Sequence, residues 1–435
     1  MLSTFQTRTV VRCARPALAC GMLLLAACAA PPPDAAPATP AAPAPAAAAA
    51  DPAPATTTVA SPAPAAAPVP APIVALPYAE AVQLAARDLF GKADLPPGRN
   101  WTVVIDPLVD GNTGVRSVAT ETMERQVAEI VRNAFPQYQV KPFTAANVAT
   151  QPLIFIGTFT PINLQGKSDG DRDAYRICFA LADLKTGKIV GKGFARSQMA
   201  GINPTPVAYF RDSPLWVQDK IVEGYIRTCQ GTKAGDPIHP AYVDKVVAAT
   251  AIDEAIQAYN DQKYRESLAL YNAVLRNPAG DQPRVHAGIY LAQMKLGQRN
   301  AAMQAFGKVV QYGLGAERLA VKFNFRPGGT AFVNDGAPYE LWVREIARQV
   351  AAGKAGCVEV AGHASRSGAE PMNETISLQR AEYVKQRMVT ARKDLDRRVT
   401  SKGLGSRQVL VGTGNDDASD ALDRRIEFKP VGSCA

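Results

Sequence analysis

The side chains best able to do chemistry are carboxylates and histidines, and they form no familiar catalytic set. One aspartate group lacks the glycine and terminal glutamate of a calcium loop, so we expect a solvated acidic loop; its members are Asp416, Asp417, Asp420 and Asp423. We expect the same solvation of Asp106, Asp110 and Asn112. Among three histidines, His363 could act as a base, but packing at a strand end is favoured. Without a Ser/His/Asp, Cys/His or paired-carboxylate framework, we predict no enzyme, no cofactor and no metal site.

The first 27 residues have the composition of a secretory signal. Arg8, Arg12 and Arg15 occur without an acid and precede the apolar stretch Ala17–Ala27, which is too short to span a bilayer. The run Leu25-Ala26-Ala27-Cys28 resembles the lipobox of bacterial lipoproteins. This resemblance implies that Cys28 is the lipidated first residue of the mature chain. Because Ala29 stands where an aspartate would favour the inner membrane, it also implies the outer membrane. The alternative is an ordinary cleaved signal with an incidental cysteine.

Four cysteines remain beyond the signal and Cys28. The periplasm implied by the signal is oxidising, so an even number of cysteines predicts two disulfide bonds. We expect each bond within one predicted domain, which gives the pairs Cys178–Cys229 and Cys357–Cys434. Four buried free thiols are the alternative.

The length of 435 residues allows about three domains. The net charge of +9 is spread out and is not interleaved with aromatic residues, so no nucleic-acid partner is predicted. Residues 28–76, which we call the tether, are almost wholly alanine and proline. Such a segment cannot bury a core, and its prolines favour polyproline II. At ~3.1 Å per residue its reach is on the order of 100 Å.

Residues 77–230 are called the first region. Hydrophobic periodicity predicts the order α-β-α-β-β-β-α and a mixed sheet packed by helices; the elements are Tyr78–Phe90, Trp101–Ile105, Ser117–Phe135, Leu153–Thr160, Tyr175–Leu184, Ile189–Met199 and Leu215–Tyr225. Thr102–Pro107, the following helix, Phe155–Phe159 and the hairpin centred on Gly187 resemble the LpoB/CsgG/FlgO group of lipoproteins. This implies a domain that binds partner proteins, which in LpoB-type members is a peptidoglycan synthase. CsgG-type members form secretion pores, but no pair of alternating strands here is long enough for a pore.

Residues 248–314 are predicted to be helical. The helix pairs repeat with a period near 35 residues and comprise Ala251–Asp261 with Glu266–Arg276, and Pro283–Leu296 with Ala301–Tyr312. In each second helix a small residue precedes an aromatic one by four positions, as in Ser267 and Tyr271, or Ala302 and Phe306. The pattern resembles a short TPR-like pair that neighbouring domains would cap. A plain helical linker is the alternative.

Residues 319–430 alternate strands with helices, which predicts an α/β sandwich. The predicted strands are Leu319–Phe325, Val358–Ala361, Gln408–Val411 and Arg425–Lys429, and the predicted helices are Tyr339–Val350 and Asn373–Val389. This region resembles the OmpA-like domain, the peptidoglycan-binding module of many envelope proteins. The resemblance is carried by Gly362-His363, Gly368, the helix pattern from Asn373 to Val384, Gly412 and Asp423–Glu427.

The OmpA-like resemblance also implies a ligand site. In that family an arginine and an aspartate bind the diaminopimelate end of the stem peptide, which carries a carboxylate and an ammonium group. Arg380 occupies the arginine position, whereas Ser365 occupies the aspartate position. The helix N-terminus near Asn373 would add backbone donors for the carboxylate. Glu370 could replace the lost charge, and a retained scaffold without binding is the alternative.

Together these features predict an α+β multidomain protein with a mixed α/β first region, TPR-like hairpins and an OmpA-like sandwich. The predicted function is that of an outer-membrane lipoprotein on the periplasmic face that binds peptidoglycan and an unidentified periplasmic protein. It would organise the cell envelope, and regulation of peptidoglycan synthesis is one form that this role would take. The alternatives are a CsgG/FlgO-like assembly or secretion subunit and a cell-wall enzyme.

Overall fold

The computed structural model describes residues 74–217, 219–353, 356–415 and 417–434. The predicted signal, the lipid site at Cys28 and nearly all of the tether lie outside these residues. The described residues belong to one compact unit. No helix in the described ranges has the length and apolar character needed to cross a membrane.

The first region contains a six-stranded mixed sheet. Its strands are β1 (Trp101–Ile105), β2 (Val109–Asp110), β3 (Tyr138–Lys141), β4 (Leu153–Ile162), β5 (Ala174–Asp183) and β6 (Lys188–Gln198). The order is β3-β1-β4-β5-β6, with β2 paired to β4. Strands β1, β3 and β4 run parallel, whereas β4, β5 and β6 form an antiparallel meander. Every residue of β4 is buried, as expected for a central strand covered on both faces.

Helices cover both faces of this first sheet. One core cluster joins α1 (Tyr78–Gly91) and α2 (Val118–Ala134) to the sheet. Helix α2 begins at a capping box in which Ser117 and Thr120 satisfy each other's backbone N–H groups. The other face packs against α5 (Lys220–Gln230) and α6 (Pro240–Val243). Two short helices, α3 (Ala145–Ala149) and α4 (Ala208–Asp212), complete the region.

The helical region consists of two antiparallel pairs close to the predicted bounds. They are α7 (Val246–Asn260) with α8 (Tyr264–Leu275), and α9 (Pro283–Lys295) with α10 (Arg299–Gly315). Ser267, Tyr271, Ala302 and Phe306 are fully buried, as the small-then-aromatic spacing predicts. Whether these pairs are TPR repeats stays a prediction.

A second mixed sheet has the order β10-β9-β11-β8-β7. Its strands are β7 (Leu215–Val217), β8 (Leu319–Val321), β9 (Cys357–Gly362), β10 (Val399–Gly403) and β11 (Ile426–Val431). Helices α11 (Tyr339–Ala352) and α12 (Glu370–Ala391) share its core cluster. The fold is therefore mixed α/β, as predicted.

One helix assignment and two strand assignments from the sequence are wrong. The predicted helix Leu215–Tyr225 begins with strand β7, because its apolar residues pair with β8, and helix α5 starts only after Asp219, which caps it. The predicted strand Leu319–Phe325 ends at Val321. Gln408–Val411 is a turn, whereas the real neighbour of β9 is β10, which sequence analysis missed.

The apolar core does not stop at the predicted boundaries near residues 230 and 319. One cluster of buried residues runs from Tyr209 and Leu215 through the helical pairs to Phe428. Strand β7 belongs to the first region by sequence and to the second sheet by hydrogen bonding. The first and C-terminal regions therefore share the second sheet through β7, and the end of the first region shares one core cluster with the helical pairs and the C-terminal region.

Candidate functional site

The candidate site lies where strand β9 gives way to helix α12. Strand β9 ends at Gly362, and α12 begins at Glu370 after the loop 363–369. A methyl group on Gly362 would lie 2.7 Å from the carbonyl carbon of Ser377 and closer still to its oxygen. One on Gly403 would lie 2.6 Å from the carbonyl oxygen of Glu374. Two glycines therefore let α12 approach β9 and β10 at backbone contact.

Asn373 and Ser365 are brought together by the loop. Both side chains are buried. The Asn373 amide donates to the carbonyl oxygens of Ser365 and Gly368, each at 3.3 Å. The Ser365 hydroxyl lies 3.0 Å from that of Ser367. Asn373 therefore fixes the loop that carries Ser365, and the serine hydroxyl is already in a hydrogen-bonding network.

Arg380 is half-buried on the same helix, seven residues beyond Asn373. Seven residues correspond to about 10 Å along a helix and return to nearly the same face. Its Nε donates to the carbonyl oxygen of Gly329 at 3.2 Å, and its guanidinium lies 4.9 Å from the centre of the Phe325 ring. Burial, with Arg424 nearby, lowers the pKa of Arg380, but a guanidinium remains charged at neutral pH. The segment around residues 325–329 therefore fixes a permanent positive charge beside the α12 face.

Glu370 was considered from the sequence as a replacement for the carboxylate that is missing at position 365. In the structure it is bound elsewhere. Its carboxylate accepts from the backbone N–H of Ser406 at 3.1 Å and from the Ser406 hydroxyl, and it lies 3.6 Å from Arg407. These contacts commit Glu370 to the loop after β10.

The first region reaches the candidate site through the loop between β4 and β5. Asp171 forms an ion pair with Arg366, the residue after Ser365, at 2.5 Å. Arg172 donates to the carbonyl oxygen of Val411 at 3.3 Å. No sequence signal indicated these contacts, because their partners lie about 200 or more positions apart.

Two of the aspartates predicted to form a solvated loop, Asp420 and Asp423, are fully buried instead, whereas Asp417 is exposed as predicted and Asp416 lies outside the described residues. Asp423 accepts from the backbone N–H groups of Leu410, Val411 and Gly412 at 2.6, 2.9 and 2.7 Å. Asp420 accepts from the backbone N–H and the hydroxyl of Thr413. These bonds replace hydration, and they explain why residues 408–411 form a turn rather than a strand.

The prediction of solvated Asp106 and Asp110 is also wrong. Tyr242 donates to Asp106 at 2.5 Å, and burial raises the pKa of Asp106 to about 7 although that hydrogen bond lowers it. Asp110 accepts from the backbone N–H of Asn112 at 3.0 Å and from Thr113. Both carboxylates organise the start of the first sheet. No group of three or more His, Cys, Asp or Glu side chains suited to a metal occurs in the described part of the chain.

His363 is buried directly after β9, and its ring nitrogens have no hydrogen-bond partner among the described residues. Burial, reinforced by Arg425, lowers the pKa of His363 to about 3 against the opposing effect of Glu427. As pH falls below about 6.5, His363 therefore takes up a proton in the unfolded chain but stays neutral in the folded protein. A histidine in this position is suited to packing rather than to general-base catalysis at neutral pH.

We expect the free energy of unfolding to fall as pH drops from about 6.5 to 5, with the His363 contribution amounting to about 2 kcal/mol. The variant His363→Asn lacks this titration. The measurement is urea unfolding of wild type and variant at several pH values. The difference between the two chains isolates His363, because the other buried groups titrate in both. Parallel pH profiles of the two chains would contradict the assignment of a buried neutral imidazole.

The described residues contain two disulfide bonds, Cys178–Cys229 and Cys357–Cys434. The first ties β5 to the end of α5. The second ties the start of β9 to the segment after β11. Each bond closes one of the two sheets against a neighbouring element.

No family model matches this chain, and no curated protein matches it. Solved structures are similar to about a quarter of it. The peptidoglycan-associated lipoprotein from Burkholderia pseudomallei is 21% identical over 25% of this chain and 87% of its own, with a TM-score of 0.22. The OmpA-like domain of FopA1 from Francisella tularensis is 20% identical over 26% of this chain and 70% of its own, with a TM-score of 0.21. The cell wall anchor of the T6SS from Pseudomonas aeruginosa is 21% identical over 26% and 78%, with a TM-score of 0.21.

Proposed function

We propose that this protein is a periplasmic lipoprotein of the outer membrane that binds peptidoglycan through its C-terminal region and a protein partner through its first region. Lipid on Cys28 holds it at the membrane, and the tether spans the distance to the wall. The observation that carries the wall-binding proposal is the arrangement of α12. Its first turn closes the loop of Ser365 through Asn373, and two turns later it presents Arg380.

The chemistry of this helix face suits the diaminopimelate end of a stem peptide. Arg380 can bind a carboxylate with two parallel hydrogen bonds. The N-terminus of α12, a helix of 22 residues, favours negative charge. The Ser365 hydroxyl is buried and already bonded to Ser367, and as a neutral acceptor it would hold an ammonium group only about half as strongly as a carboxylate. Binding therefore depends mainly on Arg380.

Replacing Arg380 by alanine is expected to weaken binding to purified sacculi by about 10- to 100-fold, because a hydrogen bond to a charged group contributes about 1.5–3 kcal/mol. Co-sedimentation of the full chain over a range of sacculus concentrations measures this. Arg392→Ala, at the other end of α12, is the matched control. If wild type and both variants sediment equally, or if none of them sediments, wall binding through Arg380 is contradicted and the C-terminal region is a scaffold.

The protein partner is proposed to dock on the first region, and β6 is the strand to test. It is the last strand in the order of the first sheet, its burial alternates, and segments at Leu76 and Asp236 bond to its two ends. Between these ends the Phe194 side chain is 50% exposed. A photo-crosslinking amino acid at position 194 is expected to capture one discrete envelope protein in cells. The same group at Val247, which is 53% exposed on α7, is the control. Identical products from both positions would contradict docking on β6.

We also propose that the protein acts without catalysis. The residues at the α12 site bind charge, and His363 is held neutral and buried. Incubation of the purified chain with sacculi is expected to release no soluble fragments. Release that persists in independent preparations would contradict this part of the proposal.

A further inference from the structure

A groove separate from the candidate site runs along α12 beyond Arg380. It has a volume of about 400 Å³ and lies between the helix and the segment 326–341. Its lining includes three aromatic rings and three charged side chains, namely Phe332, Tyr339, Tyr383, Arg326, Arg387 and Glu340. We call it the aromatic groove.

The rings of the aromatic groove pack against one another and form one wall. Phe332 meets Tyr383 edge-on at 5.1 Å between ring centres, and it stacks on Tyr339 at 5.0 Å. Phe332 and Tyr383 are only half-buried, so the wall retains exposed apolar surface. Such surface suits the C–H face of a ring-shaped ligand.

The charges of the aromatic groove favour an anionic ligand. Arg387 donates to the Tyr383 hydroxyl at 3.0 Å and pairs with Glu340 at 3.0 Å. Arg326 also lines the groove and is exposed. The groove therefore contains two guanidinium groups and one carboxylate, and Arg380 adds a third positive charge close by.

The aromatic groove is continuous with the Arg380 site. Arg380 lies over the Phe325 ring, and Phe325 contacts Phe332 at 5.4 Å. Tyr383 and Arg387 follow Arg380 by three and seven residues, which places them about 4.5 and 10 Å farther along the helix. Two steps of an extended peptide separate its third residue from its first and span about 7 Å, and a third step, which reaches the group that joins the peptide to the sugar, brings the span to about 10 Å. A stem peptide whose third residue is bound at Arg380 can therefore place its junction with the sugar at Arg387.

We infer that the aromatic groove binds the N-acetylated, acid-bearing amino sugar to which the stem peptide is attached. This inference rests on the proposed wall binding. The sugar ring stacks on Phe332 and Tyr383. The acid of the sugar is an amide once the peptide is attached, so a free carboxylate of the stem peptide, close to that amide, faces Arg387 and Arg326. The chain would thus recognise glycan and peptide together.

The test is calorimetric titration of the full chain in detergent with two probes. One is the tripeptide ending in diaminopimelate, and the other is the same tripeptide carrying its disaccharide. We expect the disaccharide to increase the affinity about tenfold. Phe332→Ala is expected to abolish that gain and to leave tripeptide affinity unchanged. Arg387→Gln, at an exposed position, should reduce the gain even if Phe332→Ala perturbs folding, whereas Arg392→Gln should not.

The outcomes separate this inference from the proposed function. A chain that binds the tripeptide but gains nothing from the disaccharide overturns the aromatic groove alone. A gain that survives both variants also overturns it. A chain that binds neither probe overturns wall binding itself. Saturable binding of a peptide from the tether, lost in Phe332→Ala and not displaced by disaccharide, would assign the groove to the tether, since aromatic grooves also accept polyproline II.

Discussion

Replacing Gly362 by alanine is expected to lower the free energy of unfolding by about 3 kcal/mol or more. The added methyl group would lie 2.7 Å from the Ser377 carbonyl carbon, which belongs to the backbone of α12. Backbone atoms cannot rotate away as a side chain can, so the whole helix must shift from β9. Because α12 carries Asn373 and Arg380, wall binding should weaken with it. Urea unfolding and sacculus co-sedimentation of the same preparation measure both effects.

Gly315→Ala is the matched control for the loss at Gly362. Gly315 is the last residue of α10, and a methyl group there would meet nothing within 4 Å. Alanine is a better helix former than glycine, so this change should be neutral or stabilising by up to about 1 kcal/mol. If Gly362→Ala unfolds at the same urea concentration as wild type, then α12 does not approach β9 as described.

Replacing Arg425 by methionine is expected to cost about 3–5 kcal/mol. Arg425 is only 1% exposed, and its guanidinium bonds to Glu427 at 2.7 Å and to the carbonyl oxygens of Leu422 and Gln408. Burial by itself would raise the pKa of Glu427, but Arg425 and its neighbours lower it to about 2. Methionine fills much of the volume, but it leaves two carbonyl oxygens without this donor and leaves the Glu427 carboxylate with Arg318, at 3.1 Å, as its remaining guanidinium partner.

The cost of Arg425→Met should depend on pH. A carboxylate with a lowered pKa contributes stability that is present above its ordinary pKa of about 4.3 and is lost as pH falls toward 2. The difference in free energy of unfolding between wild type and variant should therefore be full at pH 7 and smaller near pH 3. The double variant Arg425→Met/Glu427→Gln should regain part of the loss at pH 7. A difference that is equal at both pH values would exclude the ion pair as its cause.

Local sequence patterns predicted the long helices well because their signals are local. Helix α2 has its cap at Ser117 and an apolar repeat through Val131, and the structure begins and ends it within a residue of the prediction. The pairs α7–α8 and α9–α10 follow from the same periodicity. Helix α12 starts three residues early, at Glu370, because Pro371 suits a first turn and the predicted start rested on the motif at Asn373.

The errors arose where distant residues decide the structure. Leu215–Val217 could be helical or extended by composition, and only pairing with β8, about 100 residues later, makes it a strand. The turn at residues 408–411 exists because Asp423 binds its backbone N–H groups. Such contacts cannot be seen in a window of neighbouring residues.

The candidate site shows the same division. Arg380, Asn373 and Ser365 could be chosen because they fall on a motif. The Gly329 carbonyl oxygen that holds Arg380 and the Asp171 carboxylate beside Arg366 belong to other segments. The aromatic groove was likewise unpredictable, since Phe332 and Tyr383 lie about 50 positions apart and meet only in the fold.

Titration of the full chain with stem tripeptides whose diaminopimelate carboxylate is either free or amidated tests most directly whether Arg380 binds that group. Wild type is predicted to lose about tenfold or more in affinity on amidation, because the charge-assisted hydrogen bonds to Arg380 are lost. Arg380→Ala is predicted to bind both peptides equally and weakly. The account would be contradicted if wild type bound both peptides with equal affinity. It would also be contradicted if amidation reduced the affinity of Arg380→Ala as much as that of wild type.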